Sequence, residues 1–291
     1  MAGICEGRVV VVTGAGQGLG RDHAVALGAQ GAHVVVNDLD ERADAVAGEI
    51  VSAGGSAVAT TGDVADWDYA ASLVTTAVEA FGGLHSLVNN AGTVRDRMFV
   101  NLSEKEWDDV VRVDLKGHFC PLRHCAAYWR DRSKEGTPVA ARVVNTSSGA
   151  GLMGSVGQSN YVAAKAGVAA LTVVVAAELA RYGIVVNAIA PSARTAMTEV
   201  AFADMMRRPE SGFDAMDPAN VSPLVAWLCS DEAGDVTGRV FEIEGGLLRV
   251  ADGWQHGQGE DKGARWDPGE LGPVVRRLLA AAPEPAPVYG A

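Results

Sequence analysis

Cysteine is scarce and scattered, with four thiols (Cys5, Cys120, Cys125 and Cys229) in 291 residues. Their spacing matches no paired metal-ligand pattern, so neither a metal site nor a disulfide framework is expected. Cys120 and Cys125 fall in a stretch that reads as helix and serve there as small core residues, which suits a reduced, cytosolic setting. Cations are also in deficit. Lys and Arg number 24 against 36 Asp and Glu, giving a net charge of −12. That balance argues against nucleic acid or an anionic membrane as the main partner, and leaves an anionic small molecule to local patches. Long clean apolar runs are missing too. Leu171 to Ala180 is too short for a membrane span and is broken by Glu178, with Arg181 just beyond, so no membrane helix is expected. No cleavable leader is expected, because Arg8 to Thr13 already reads as a strand.

Hydrophobic residues make up 48 % of the chain, enough to fill one large α/β domain or two small ones. Arg8-Val-Val-Val-Val-Thr13 is a β-branched run of the kind buried on both faces. Gly14-Ala-Gly-Gln-Gly-Leu-Gly20 follows at once and leads into helix to Gln30. Strand, glycine turn and helix in that order seat a pyrophosphate on a helix N-terminus. Gly14 permits the turn, Gly18 the approach of phosphate, and Gly20 close helix–strand packing. The next strand, His33 to Asn37, ends at Asp38. An acidic residue there accepts hydrogen bonds from a ribose diol and repels a 2′-phosphate. With no Arg or Lys in the glycine loop or directly after Asp38, the reading is NAD over NADP. Asp38 or Asp40 could instead cap the helix starting near Glu41. Ser56 to Thr61 reads as a third strand. Asp63, before Val64, is placed either for the adenine amino group or as a turn or cap residue ahead of a helix over 67–81. A fourth strand, Leu84 to Val88, ends in Asn89-Asn90-Ala91-Gly92, whose small residues let a cofactor cross the strand ends. Ser103 and Glu106 form a capping box, opening a long helix to about Tyr128.

Tyr161 and Lys165 stand four apart at the head of an apolar run from Ala163 to Ala180. On a helix they share a face, and the ammonium favours the phenolate. That would bring a phenol, ordinarily titrating near 10, into the range useful for proton transfer. Ser148, thirteen residues earlier at the end of a strand-like segment, could hydrogen-bond a substrate oxygen. An isolated Tyr-x-x-x-Lys is far more often an ordinary surface pair, so the rest of the chain must carry the reading. Gly183 to Ile189 reads as a sixth strand and Arg239 to Ile243 as the last. Between them, 195–216 is Met-rich and amphipathic (Met197, Met205, Met206, Met216), suiting an adaptable substrate lid or, more plainly, a surface helix. Strand–helix alternation predicts a single α/β domain with a doubly wound parallel sheet over 1–246. Residues 247–291 read as a C-terminal extension, with one helix over 268–280 and a stiff Pro283–Pro287 end.

Taken together, Thr13-Gly14-x-x-x-Gly18-x-Gly20, Asp63, Asn89-Asn90-Ala91-Gly92, Ser148 and Tyr161-x-x-x-Lys165 resemble the short-chain dehydrogenase/reductase family, over about the first 245 residues. The resemblance implies an NAD-dependent enzyme interconverting a secondary alcohol and a ketone. It implies Tyr161 as general base or acid, Lys165 as its activator and ribose ligand, and Ser148 as the group orienting the substrate oxygen. The cofactor would lie along Gly14, Gln17, Gly18, Leu19, Gly20, Asp38, Asp63, Val64, Asn90, Ala91 and Gly92, with Ile189 and Thr195 flanking the nicotinamide carboxamide. Two positions depart from the family pattern. Asp114, in Asp114-Leu-Lys-Gly117, replaces an Asn whose backbone kink holds a proton-relaying water. Pro191-Ser192 replaces Pro-Gly. The stretches 34–39 and 190–198 resemble the dehydrogenase part of peroxisomal multifunctional β-oxidation enzymes and their actinobacterial relatives. That implies a (3R)-hydroxyacyl-CoA or hydroxysteroid substrate, with Arg95, Arg97, Arg207 and Arg208 as candidates for CoA phosphates. The alternatives are a 3-oxoacyl-carrier-protein reductase and a non-catalytic NAD-binding regulator. The family's habit is a homodimer or homotetramer.

Overall fold

Valine at four successive positions puts apolar side chains on both sides of a strand, because successive residues of a strand face opposite ways. The computed structural model, which describes residues 3–195, 198–199, 204, 206–251 and 253–290, shows the consequence. In β1 (Val9–Val12), Val10 and Val12 enter one core with Leu27, Ile50 and Leu224. Val9 and Val11 enter the other with Leu73, Leu122 and Trp129. The remaining strands are β2 (His33–Asp38), β3 (Ser56–Thr61), β4 (Ser86–Asn89), β5 (Ala141–Thr146), β6 (Ile184–Ser192), β7 (Val240–Glu244) and β8 (Leu247–Ala251). They lie in the order β3-β2-β1-β4-β5-β6-β7-β8, parallel except for the β7–β8 pair. The expected doubly wound sheet is therefore present, reversing direction between β1 and β4, where such sheets bind ligands at their carboxyl ends.

Among the described residues, the α-helices with defined bounds are α1 (Gly18–Ala29), α2 (Arg42–Ser52), α3 (Trp67–Phe81), α4 (Glu104–Val110), α5 (Gly117–Lys134), α6 (Gly149–Met153), α7 (Ser159–Leu179), α8 (Ser222–Cys229) and α9 (Pro268–Ala281). The expected capping box of Ser103 and Glu106 opens α4.

Four features depart from the sequence expectations. The helix from 104 onward is not one α-helix. A π-helical stretch, Val111–Lys116, separates α4 from α5, and such stretches collect at functional sites. The sheet continues past Gly246: β8 forms a hairpin with β7, pairing Glu244 with Leu247. Within 195–216, Met197 and Met205 lie outside the described residues, Thr198 and Glu199 are helical, and residues 206–216 form turns and irregular chain, so the surface-helix alternative does not extend over them. Pro209 and Gly212 oppose helix there. Finally, Ser159–Tyr182, with mean hydropathy 1.8, is long and apolar enough to cross a membrane by length and composition, contrary to the sequence expectation. In this fold the segment is a layer helix whose buried residues include Asn160, Lys165 and Thr172.

Candidate active site

The glycine turn is built first. Gly14 and Gly18 hold φ of 61° and 54°, the left-handed region that favours glycine. Gly20 is packed so closely that a Cβ there would lie 2.2 Å from the Gly14 carbonyl oxygen. Thr13 Oγ1 accepts from the Asn90 and Ala91 amides at 3.0 and 3.2 Å. The Asn90 side chain donates back to the Thr13 and Gly14 carbonyls, both at 3.1 Å. Asn90 therefore braces the turn, and its amide group is committed to that task. Gln17 precedes α1 without capping it through its side chain. The first-turn N–H groups thus lack a side-chain partner, which is the polarity a pyrophosphate fits. Leu19 packs partly buried on the core.

The two aspartates after β2 divide their roles. Asp40 Oδ1 accepts from the Arg42 amide at 3.1 Å and caps α2. Asp38, nearly buried, accepts from the Gly16 amide at 2.8 Å and the Leu39 amide at 2.7 Å, so it also fixes the glycine loop. Arg42 Nη2 stands 3.7 Å from Asp38 Oδ1. A cation is therefore beside the carboxylate expected to read the ribose. Arg42 opens α2, four residues after Asp38 ends β2, and the turn between them brings the two together. Asp63 Oδ1 caps the Ala65 amide at 2.9 Å, and Oδ2 pairs with Arg112 at 2.5 Å. Burial pushes the Asp63 carboxyl up, but the Arg112 and Ala65 hydrogen bonds outweigh it and leave it below its usual range. The turn-and-cap reading of Asp63 is thus the one its hydrogen bonds support. Val64 is buried. Ile189 is a core residue, fully buried, and its carbonyl accepts from the Ser147 amide at 2.7 Å. Its side chain packs in the core, so a flanking role for Ile189 would fall to its main chain at the end of the strand. Thr195 faces the loop, 3.9 Å from where a Gly18 Cβ would be.

The catalytic candidates converge beside this cradle. Ser148, extended at φ −161°, caps α6, accepting from the Ala150 amide at 3.2 Å. Tyr161 lies in the first turn of α7, and Lys165 Nζ is 5.6 Å from its ring centre. Lys165 is buried. Its ammonium donates to the Thr146 carbonyl at 2.9 Å and lies 3.2 Å from Asp114 Oδ1. Asp114 projects from the π-helical stretch, fully buried, and its Oδ2 accepts from the Thr93 amide at 2.9 Å. Burial raises the Asp114 carboxyl above its usual range, against the opposing pull of Lys165 and Thr93.

The phenol itself does not follow the simple expectation. Burial pushes Tyr161 up from its ordinary value near 10. Lys165 and the Ser148 hydroxyl lower it, while Asp114 and Asp96 add to the rise. The ammonium acts with the expected sign, but burial and the adjacent Asp114 carboxylate offset it.

Sequence reasoning missed two supports. Arg194, buried, grips Asp214 through two 2.8 Å contacts and donates to the Met206 carbonyl at 2.5 Å, tying 206–214 to the end of β6. Nothing in the local sequence marks a partner twenty residues away. His118, fully buried beside Lys165, is held neutral, since burial drives its pKa well below the usual value. The four arginines considered for phosphates lie on exposed surface. Arg97 pairs with Glu106 at 3.1 Å and Arg207 with Asp204 at 3.0 Å. Arg95 approaches Asp109 at 3.9 Å, and Arg208 is exposed.

A dinucleotide cradle at the sheet's carboxyl edge, with a phenol, an ammonium and a hydroxyl beside it, defines an oxidoreductase that uses a nicotinamide cofactor. The chain belongs to the short chain dehydrogenase family, whose sequence profile matches residues 8–205. It is 46 % identical over 284 residues to hydroxyacyl-CoA dehydrogenase ChsB1 of Mycobacterium tuberculosis, covering 94 % of this chain and 89 % of that one. It is 40 % identical over 259 residues to peroxisomal multifunctional enzyme type 2 of Mus musculus, covering 86 % of this chain and 32 % of that longer protein. A crystal structure of a short chain dehydrogenase from Mycobacterium avium superposes with a TM-score of 0.92 at 61 % identity, covering 99 % of this chain and 100 % of that one.

Proposed function

We propose that this chain is an NAD-dependent dehydrogenase that oxidises the secondary alcohol of a 3-hydroxyacyl-CoA, with a hydroxysteroid as the related alternative. The observation that carries the reaction class is the meeting of Ser148, Tyr161, Lys165 and Asp114 beside the glycine cradle. When bound, the dinucleotide supplies the hydride acceptor for oxidation and the donor for reduction. Gly14, Gly18 and the open N-terminus of α1 would hold its pyrophosphate, Asp38 its adenosine ribose and Lys165 its nicotinamide ribose. Ser148 donates a hydrogen bond to the substrate oxygen and sets its angle. The Tyr161 phenolate oxygen takes the hydroxyl proton in oxidation, and the phenol returns it in reduction. Lys165 keeps a positive charge against the phenolate, and Asp114 and the Thr146 carbonyl hold the ammonium in place.

The substrate class rests on two supports. Met98, Phe99 and Val100 are exposed on a segment tied to the site by the Arg97 amide donating to the Gly157 carbonyl at 2.8 Å. Apolar side chains in that position suit an acyl chain or a steroid. The identity to a hydroxyacyl-CoA dehydrogenase points the same way. The choice of NAD rests on Asp38, although Arg42 lies close enough to tolerate a 2′-phosphate. A carrier-protein reductase would show itself by preferring NADPH. A regulator on this fold has no need of Tyr161 and Lys165, both present here. The reduced cysteines accord with a cytosolic location, and the exposed Phe119, Val173 and Val174 on α5 and α7 suit a homo-oligomer.

The test is NADH formation from 3-hydroxyacyl-CoA thioesters and steroid alcohols, with NAD and NADP side by side. Tyr161→Phe should lower turnover by about a thousandfold or more while NADH still binds, as followed by its fluorescence. Persistent turnover in that variant would sink the mechanism.

A further inference from the structure

Beyond β8 the chain is polar and irregular over 253–267, then forms α9, in which Val274 is the buried residue. It next returns to the catalytic region. Tyr289 forms a parallel bridge with Ser155. The Tyr289 amide donates to the Gly154 carbonyl at 3.2 Å, and its carbonyl accepts from the Val156 amide at 2.9 Å. This is strand addition onto an irregular segment, held by main-chain bonds. That segment, 154–157, follows α6 and runs between Ser148 and Tyr161 in sequence.

Two glycines make the seating possible. A Cβ on Gly149, directly after Ser148, would stand 3.2 Å from the Tyr289 phenol oxygen and 3.5 Å from Cε2 of its ring. A Cβ on Gly154 would stand 3.2 Å from Cγ1 of Val288. The tail's side chains therefore rest on bare backbone next to the catalytic serine. Tyr289 nonetheless stays 46 % exposed and Val288 41 %, so an apolar surface still faces outward there, continued by the exposed Met153 and Val156.

We propose that Val288–Gly290 forms one wall of the substrate site and that Tyr289 is a specificity-determining residue for the apolar part of the substrate. This rests on the reading of the site as one for an apolar secondary alcohol. A ring beside Gly149 offers a long acyl chain a contact that a short one cannot reach, so its effect belongs in selectivity between chain lengths.

The experiment compares 3-hydroxyhexadecanoyl-CoA with 3-hydroxybutyryl-CoA in the full chain, Tyr289→Ala, Tyr289→Phe and a chain ending at Pro287. NADH binding by each preparation confirms that it is folded. The long-to-short ratio of kcat/KM should fall about tenfold in Tyr289→Ala and in the shortened chain, and be kept in Tyr289→Phe. A ratio within about twofold of wild type in both Tyr289→Ala and the shortened chain overturns the proposal, even if absolute rates drop, because a uniform loss is bracing of the Ser148 segment. Calorimetric binding of the two thioesters to the NADH-loaded enzyme reads the same ratio without turnover. A wild-type enzyme that binds both but converts neither refutes the proposed reaction and leaves the wall to be judged on binding. One that does neither refutes both.

Discussion

Against the family pattern, Asp114 sets a carboxyl in place of an amide at the point where the Lys165 ammonium is held, and the consequence is electrostatic. Burial sets the Tyr161 phenol high, Lys165 pulls it down, and the Asp114 charge pushes it back up. Asp114→Asn keeps the acceptor for the Thr93 amide and removes that charge. The phenolate then forms more readily. The rising limb of the kcat/KM–pH profile for alcohol oxidation should therefore move to lower pH, with the plateau changed by less than about tenfold. If the carboxyl itself carries the relayed proton, the plateau should instead fall about a hundredfold with the limb unmoved. Residue identities at the site were largely legible, because Tyr161, Lys165 and Ser148 stand at spacings that the helix period and a strand end turn into proximity. The balance of charges was not. It depends on Asp114, forty-seven residues before Tyr161 in sequence, and on how deeply the fold buries the pair.

Elements were read well where a repeating pattern marks them and poorly where tertiary contacts choose the form. The β-branched run at 9–12 announced a strand buried on both faces, and the valines at 34–36 announced its neighbour. The Ser103/Glu106 box announced α4. The π-helical stretch at 111–116 was signalled only by the kink that the Asp114-Leu-Lys-Gly117 resemblance implies, not by any periodicity, and the β7–β8 hairpin was hidden by the composition shift that follows it. Arg194 holding Asp214 and the Met206 carbonyl makes residues 206–214 a tethered irregular stretch where the sequence suggested a substrate lid or a surface helix. The most constrained joint is between β1 and α1. Gly20→Ala would drive a methyl against the Gly14 carbonyl oxygen, which lies 2.2 Å from that position. The turn has little slack, since Asn90 and Thr13 fix it from behind. NADH affinity, measured by fluorescence titration, should fall about tenfold or more, with far-ultraviolet circular dichroism unchanged.

For the whole molecule, acid is the predicted weakness. His23 is buried against Ser222, with its Nδ1 2.9 Å from the hydroxyl, and burial takes its pKa down to about 3 from an unfolded value near 6.5. The unfolded chain therefore binds a proton that the folded chain refuses. The stability this neutral histidine contributes is complete above about pH 6.5 and is lost steadily as pH falls from there toward 3, by up to about tenfold in the folding constant per pH unit. His118 acts in the same direction. Melting temperature should decline below neutrality, and His23→Gln should make that decline shallower. The four thiols carry a different message. All are buried. Burial pushes Cys120 upward, Cys5 to about 11, and Cys125 and Cys229 to about 12. Thiolate, the form that reacts, is thus nearly absent from the native protein. A maleimide dye will find no target until a molecule opens, so the rate at which colour accumulates times that opening directly, with no probe engineered into the chain.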